Sequence, residues 1–366
     1  MKIVVNLLNF RSENIAGVGY FMKRIFELLD ARNTRGMSFH ILHSPNIDVQ
    51  QVFSISDELD VEYKSVKWSS SFFLRVFYEQ FWLPFCLSKY DVFYSPTPAV
   101  PVLLPSINKN IKVIPTIHDL IPFFFKKKYP FLRRVYIRWI TKACVRTGNI
   151  VMTVSNSTRK DIIEILGVSE SKVKIVYNFI PNRMLITDCV SKKYFVTVCT
   201  IEPGKNLSNL LKGFKTYRNK YDTHGYKLFI IGKNGWNYKE IYHLCKKNGL
   251  EKDVIFTGYL SEESKDLLIR ESAAMVYLSV YEGFGIPPLE AMYWNKPSIV
   301  SNVSSLPEVV GNAGIKCNPY DIEEIAEAMM SIVNDRDVFC KNIPQQLQKF
   351  DPQQQVCNFL QIITLA

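Results

Sequence analysis

The sequence predicts an α/β chain of two Rossmann-like domains, each a parallel sheet covered on both faces by helices. Three observations predict it. The chain is 366 residues long, about twice the usual domain size of roughly 100–200 residues. Short apolar runs alternate with amphipathic stretches through both halves, the pattern of buried parallel strands and their crossover helices. The alternation lapses from Asn178 to about Ser191, around Pro181, which places an interdomain linker there. Hydrophobic residues make up 47% of the chain and charged residues 22%, enough apolar material for two cores and unlike a disordered or fibrous protein.

In the first half, Lys2–Leu8 reads as a buried strand by length and β-branching. A loop with Gly17 and Gly19 leads into a helix over Tyr20–Leu29, where Phe21, Ile25 and Leu28 recur at helical spacing. Further strands are expected at Phe39–His43, Val61–Val66, Val92–Tyr94, Lys112–Ile117, Ile150–Val154 and Val173–Tyr177. Ser155 is placed to cap a helix over Asn156–Leu166, and Gly167 to stop it. In the second half, strands at Tyr194–Cys199, Lys227–Ile231, Val254–Thr257, Ala274–Leu278 and Pro297–Ser301 alternate with helices. Those helices are Leu207–Tyr217, Tyr238–Lys247, Glu262–Glu271, Pro288–Tyr293 and Ile322–Val333. The expected domains are 1–184, 185–345 and a last helix within 346–366 that packs back toward the first domain. Ligand sites are expected at the carboxyl ends of strands and in the cleft between the lobes.

Composition removes several functional classes. The uncharged run Val92–Asn108 holds Pro96, Pro98, Pro101 and Pro105 and cannot be a spanning helix. Only eight residues separate Lys2 from Arg11, too few for a signal peptide's apolar core, so a cytoplasmic protein is expected. The closest two of eight cysteines are ten residues apart, and the five histidines show no ligand spacing, so no dedicated metal site is expected. The net charge of +11 is one-sided: residues 1–184 hold 25 Lys+Arg and 14 Asp+Glu, whereas residues 185–366 hold 20 of each. A single basic lobe suits a polyanion or anionic surface. No recognition helix, RNP string or zinc module accompanies it, so nucleic acid is not the expected partner.

The segment richest in chemistry is Tyr281-Glu282-Gly283-Phe284-Gly285-Ile286-Pro287-Pro288-Leu289-Glu290-Ala291-Met292, between a strand and a helix. Its glycines let backbone approach a ligand, its prolines suit a helix entry, and amide N–H groups there favour an anion or sugar hydroxyls. Glu282 and Glu290 can accept hydroxyls as charged acceptors.

With its Glu-x7-Glu spacing, this string resembles the donor-site signature of the retaining family 4 glycosyltransferases of GT-B fold. The resemblance extends through Ile15-Ala16-Gly17-Val18-Gly19-Tyr20, Ile117-His118-Asp119, Val154-Ser155-Asn156-Ser157 and Ile201-Glu202-Pro203-Gly204-Lys205-Asn206. It continues through Ile230-Ile231-Gly232-Lys233-Asn234-Gly235-Trp236 and Val303-Ser304-Ser305-Leu306-Pro307-Glu308-Val309, in order. Within the family the pattern looks most like mannosyltransferases of bacterial surface-polysaccharide assembly.

The resemblance implies two Rossmann-like domains facing across a cleft, with an acceptor-binding first domain and a donor-binding second. It implies that Glu282 contacts donor-sugar hydroxyls, Glu290 the ribose, and the amides of Gly283, Phe284, Gly285 and Ile286 the sugar and diphosphate. Lys205 matches the lysine that binds the diphosphate, with Asn206 beside it and Gly17 and Gly19 contributing to the donor site. His118 would touch the donor sugar, and Asp119 could orient the imidazole or the acceptor. Gly204 stands where related members usually carry arginine, reducing two cations to one. The helix beginning near Asn206, the Gly17–Gly19 loop or another cation would then supply the missing field.

The second unusual segment, Lys126 to Arg146, holds eight basic residues and no acidic ones. If helical, Arg134, Arg138, Lys142 and Arg146 form one basic stripe beside Phe131, Val135 and Trp139. It is either a solvated helix face or a contact with anionic lipid or a lipid diphosphate acceptor. Phe72, Phe73, Phe77, Phe81, Trp82 and Phe85 form an aromatic stretch that is core, acceptor groove or membrane contact. The expected activity is transfer of a hexose, GDP-mannose being the favoured donor, to a lipid-linked oligosaccharide. It would occur on the inner face of the cytoplasmic membrane, with retention, without metal or resident cofactor. A nucleotide-sugar epimerase, a UDP- or dTDP-sugar transferase of the same family, or an inactive homologue scaffolding a polysaccharide complex are the alternatives.

Overall fold

The computed structural model describes residues 1–10, 15, 17–125, 128–181, 183–186, 191–222 and 224–365. The chain divides into two units, Met1–Pro181 with Asp351–Ala366, and Asn182–Phe350. The sequence boundaries of 184/185 and 345/346 lie three and five residues away from these. Ala16, Lys126 and Lys127 of the sequence reading, and Cys189, lie outside the described residues.

The first unit holds β1 (Lys2–Asn6), β2 (Ser38–His43), β3 (Val61–Ser65), β4 (Val92–Ser95), β5 (Lys112–Ile117), β6 (Val151–Thr153) and β7 (Val173–Ile175). They pair in the order β3-β2-β1-β4-β5-β6-β7, every pair parallel. The central strands β1 and β4 are buried, whereas the edge strand β3 exposes Glu62, Tyr63 and Lys64, charges that blunt an open sheet edge. Ser155 accepts from Thr158 N at 3.0 Å and Gly167 takes φ 68° at the end of the helix Asn156–Leu166, as the capping pattern predicts. The last helix, Pro352–Leu365, belongs to this unit. Phe359 meets Tyr94 of β4 edge-on at 5.2 Å, and Gln355 Oε1 accepts from Tyr177 N at 3.0 Å.

The second unit holds β8 (Tyr194–Val198), β9 (Lys227–Ile231), β10 (Val254–Gly258), β11 (Ala274–Tyr277), β12 (Ser298–Ser301) and β13 (Gly314–Cys317), ordered β10-β9-β8-β11-β12-β13 and parallel throughout. The helix Leu207–Lys220 buries Leu207, Leu210, Leu211, Phe214 and Tyr217, the three-and-four spacing of one apolar face. Each large side chain so buried contributes about 1.5–3 kcal/mol. Gly213 lets this helix lie close to Ile322–Asn334, since a Cβ there would stand 2.4 Å from Ile325 Cγ2.

Three of the differences from the sequence reading concern the sites and the sheets. The first helix starts at Gly17, not Tyr20, so Gly17 and Gly19 sit in its first turn rather than in a loop. Gly19 belongs there because a Cβ would come within 2.5 Å of Ile15 Cβ. The helix after β11 starts at Ile286, with both prolines in its first turn, rather than at Pro288. β13 went unread because it is four residues long, begins with glycine and carries Lys316. That glycine is required, since a Cβ would lie 2.2 Å from the Ser298 carbonyl oxygen of β12.

In each sheet the order reverses direction at its first strand, between β1 and β4 and between β8 and β11. The loops leaving such a pair diverge to opposite faces and open a crevice at the carboxyl edge, the usual ligand site of an open parallel sheet.

Candidate active site

At the second sheet's reversal, β8 runs into Ile201–Asn206 and β11 into Tyr281–Gly285. Ser279 Oγ donates to the Gly204 carbonyl at 3.0 Å and Val280 N donates to it at 3.1 Å, tying the two loops together. Gly285 takes φ 114°, and a Cβ there would meet Leu306 Cδ2 at 2.6 Å, so only glycine fits. Pro287 and Pro288 carry no N–H, so the amide donors of this helix entry end at Ile286. Ser304 and Ser305 set the loop: Glu282 N donates to Ser304 Oγ at 3.0 Å, and Ser305 Oγ donates to the Phe284 carbonyl at 2.6 Å. The Phe284 side chain is buried against Phe350 at 5.3 Å, so it faces the interior and only its backbone faces the loop.

Lys205 and Glu282 form an ion pair across this crevice, their side chains 19% and 14% exposed. Tyr277, the last residue of β11, donates its hydroxyl to Glu282 Oε1 at 2.9 Å and receives Lys205 Nζ at 3.1 Å. Burial alone would push the Glu282 carboxyl up, but the Lys205 ammonium and the hydrogen bonds outweigh it and hold the carboxyl below its ordinary value. For Lys205 burial works downward, and Glu282 overcomes it to drive the amine well above its ordinary value. Burial, reinforced by Glu282, keeps the Tyr277 phenol neutral and a donor. The cluster is a fixed cation beside a fixed anion, suited to a ligand that carries phosphate and hydroxyls together.

Glu290, on the helix Ile286–Tyr293, is buried and pairs with Lys265 Nζ at 3.0 Å, which also reaches Glu262 at 2.7 Å. Asn206 sits at φ 55° with Nδ2 donating to the Pro319 carbonyl at 2.7 Å, so its side chain anchors the loop. At Gly204 an added Cβ would find only Glu202 Oε1, at 3.9 Å, so the position has room for a side chain.

In the first unit, His118 follows β5 and packs edge-on against Phe21 of the Gly17–Phe26 helix at 5.2 Å. Its Nε2 lies 3.1 Å from the Pro96 carbonyl, which can only accept, so the ring proton sits on Nε2. Burial pushes its pKa down to about 4, against the pull of that carbonyl, and the imidazole is neutral. Asp119 Oδ1 accepts from Ile121 N at 2.9 Å and steadies the turn after β5. Thus the structure groups His118, Asp119, Gly17 and Gly19 in the first unit, and Lys205, Asn206, Glu282, Gly283, Phe284, Gly285, Ile286 and Glu290 in the second.

The basic segment forms the helix Phe131–Thr147, which places Arg134, Arg138 and Lys142 along one face. Arg138 lies over the Phe123 ring at 5.0 Å and Arg134 over Phe131 at 5.6 Å. Phe131, Val135 and Trp139 are exposed, as are Phe73, Phe77, Phe81, Trp82 and Phe85 of the aromatic stretch, which is therefore surface and not core. Sequence reasoning missed Tyr277, Lys265 and the anchoring roles of Ser304 and Ser305. The one available signal was a tyrosine at the carboxyl end of an apolar strand. Among the described residues, no group of three His, Cys, Asp or Glu is placed to hold a metal ion, and no helix is long and apolar enough to cross a membrane.

Residues 17–182 match the family described as "Glycosyltransferase Family 4" and residues 189–350 that described as "Glycosyl transferases group 1". The chain is 28% identical over 236 residues to the O-antigen chain mannosyltransferase RfbU of Salmonella typhimurium, covering 64% of this chain and 63% of that protein. It is also 28% identical over 236 residues to the O-antigen chain mannosyltransferase B of Escherichia coli, covering 61% of this chain and 62% of the relative. The matches thus span a little under two thirds of these relatives. Among solved structures, Anabaena Alr3699/HepE in complex with UDP and glucose superposes with a TM-score of 0.76 at 16% identity, covering 100% of both chains. The lipopolysaccharide outer core galactosyltransferase WaaB superposes with a TM-score of 0.69 at 17% identity, covering 98% of each.

Proposed function

Because the chain belongs to the family 4 glycosyltransferases of GT-B fold, we propose that it transfers a hexose from a nucleotide diphosphate sugar to a lipid-linked oligosaccharide, with retention of anomeric configuration. The observation that carries this reading is the Lys205–Glu282–Tyr277 cluster at the second sheet's reversal. Lys205 neutralises the diphosphate as it departs with developing charge. Glu282 accepts hydroxyls of the donor sugar, Glu290 those of the ribose, and the amides of Gly283 to Ile286 hold sugar and diphosphate. The acceptor attacks from the face the nucleotide leaves, and the departing phosphate takes the acceptor proton, so no metal and no side-chain base is needed. His118, in the first unit, is neutral, its ring proton on the Nε2 that faces the Pro96 carbonyl.

The likeness to O-antigen mannosyltransferases favours GDP-mannose as donor and bacterial surface polysaccharide as product. The exposed aromatics of residues 72–85 and the cationic face of Phe131–Thr147 favour peripheral docking on an anionic membrane on the cytoplasmic side. A thermal-shift screen against GDP-, UDP- and dTDP-hexoses tests the donor, since a ligand of the native state raises its melting point. GDP-mannose is expected to give the largest rise. No rise with any nucleotide sugar contradicts the reading.

A further inference from the structure

The first sheet has its own reversal, and beyond the carboxyl ends of β1 and β4 lies a cavity of about 600 Å³. Asn9 after β1 and Thr97 after β4 line it, joined by a 2.6 Å hydrogen bond. Phe72, Tyr129 and Tyr136 give it aromatic walls, and two guanidinium groups, Arg75 and Arg133, face it. Arg75 is only 7% exposed, and its buried Nε has no hydrogen-bond partner. Arg75 is ion-paired with Glu79, but Glu79 Oε2 stands 3.7 Å from that Nε, beyond hydrogen-bond reach, and Glu79 Oε1 accepts from Asn6 Nδ2 at 3.1 Å. A desolvated donor without an acceptor is costly, and in a native structure it points to a missing partner. Among the described residues that line the cavity, two guanidinium groups stand against one carboxylate, a balance that suits an anionic partner.

The aromatic wall does not stop at the cavity. Phe72 meets Tyr136 edge-on at 5.6 Å, and Phe73, 81% exposed, at 5.5 Å. Tyr136 in turn lies 6.4 Å from Trp139, which is 54% exposed. The rings therefore form a continuous apolar track from the buried guanidinium to the surface. A free saccharide needs no such track, and a free phosphate does not use it.

We propose that this cavity holds the diphosphate of a prenyl diphosphate, anchored by Arg75 and Arg133, with the hydrocarbon chain leaving over Phe72, Tyr136 and Trp139. The inference rests on the lipid-linked acceptor proposed above and names the group by which that acceptor is held. The test titrates the full chain with farnesyl diphosphate, inorganic diphosphate and farnesol, following tryptophan emission and heat. Farnesyl diphosphate is expected to bind at least tenfold more tightly than either half alone. Arg133→Gln, at an exposed site, is expected to weaken it at least fivefold without lowering the melting point. Arg75→Lys keeps a charge beside Glu79 while removing the guanidinium fork, and a similar loss is expected. Inorganic diphosphate binding as tightly as farnesyl diphosphate, or farnesol doing so, overturns the proposal. Transfer to a lipid-linked acceptor with unchanged KM in both variants overturns the cavity's role and leaves the glycosyltransferase reading standing. Farnesyl diphosphate binding that depends on both arginines, without transfer to any lipid-linked acceptor, supports the cavity and overturns that reading.

Discussion

Glu282→Gln keeps the volume of the side chain and removes its charge from a cluster in which Lys205 and Tyr277 both donate to Oε1. Two separate losses are expected. Breaking a buried ion pair costs about 3–5 kcal/mol, and the partial exposure of this one brings the expected destabilisation to about 2 kcal/mol. Loss of a charged hydrogen bond to a donor hydroxyl removes roughly 1.5–3 kcal/mol from the transition state, about a ten- to hundredfold fall in kcat/KM. Denaturant melts and transfer kinetics on the same preparation separate the two. In Glu282→Gln with Lys205→Gln, the orphaned ammonium is gone, so stability is expected to recover in part while transfer does not. The pair also carries a pH signature. Glu282 is lowered from 4.5, so its contribution is complete above that pH and is lost as the pH falls through the folded value. Unchanged transfer in a folded Glu282→Gln protein refutes the role given to this carboxylate.

Gly204→Arg restores a cation where the pocket has room, beside Glu202 at 3.9 Å. It is expected to tighten nucleoside diphosphate binding by about tenfold, the worth of a charge-assisted hydrogen bond partly offset by Glu202; calorimetry showing weaker binding contradicts this. His118 is lowered from 6.5 to about 4, so the stability it contributes is complete above pH 6.5 and declines as the pH falls toward 4. Denaturant melts of wild type and His118→Asn should diverge over that window, by about 3 kcal/mol at most; parallel curves contradict it. Transfer is expected to persist in excess EDTA, and loss on chelation with recovery by Mg²⁺ or Mn²⁺ would show a different mechanistic class. Replacing Arg134, Arg138 and Lys142 together by Gln should lower partitioning onto anionic vesicles over a hundredfold, at about 1 kcal/mol per cation. Vesicle co-sedimentation that is equal and insensitive to salt would show only a solvated helix face.

Both sheets were legible because a parallel strand buried on both faces reads as a short unbroken apolar run, as at β1, β4, β8 and β11. The same reasoning fails where an edge strand is short and mixed, as at β13 with its glycine and Lys316. Helix starts at Gly17 and Ile286 lay earlier than expected because glycine and proline, read as loop residues, are tolerated in a first helical turn. The carboxylates Glu282 and Glu290 were visible through their spacing. Lys205 was visible as well, but its pairing with Glu282, 77 positions away, and the partners Tyr277 and Lys265 are brought in only by the fold. Arg75 gave no signal in sequence, because its meaning lies in a buried nitrogen without a hydrogen bond, which only packing reveals.

The most direct measurement incubates the purified protein with GDP-mannose, UDP-hexoses and dTDP-hexoses in the presence of lipid-linked saccharide. The acceptor is followed by mass spectrometry and the new linkage by NMR. The expected result is one hexose added per nucleoside diphosphate released, with the donor's anomeric configuration kept and GDP-mannose the preferred donor. Conversion of the sugar without its transfer, or an inverted linkage, would contradict the assignment as a retaining glycosyltransferase.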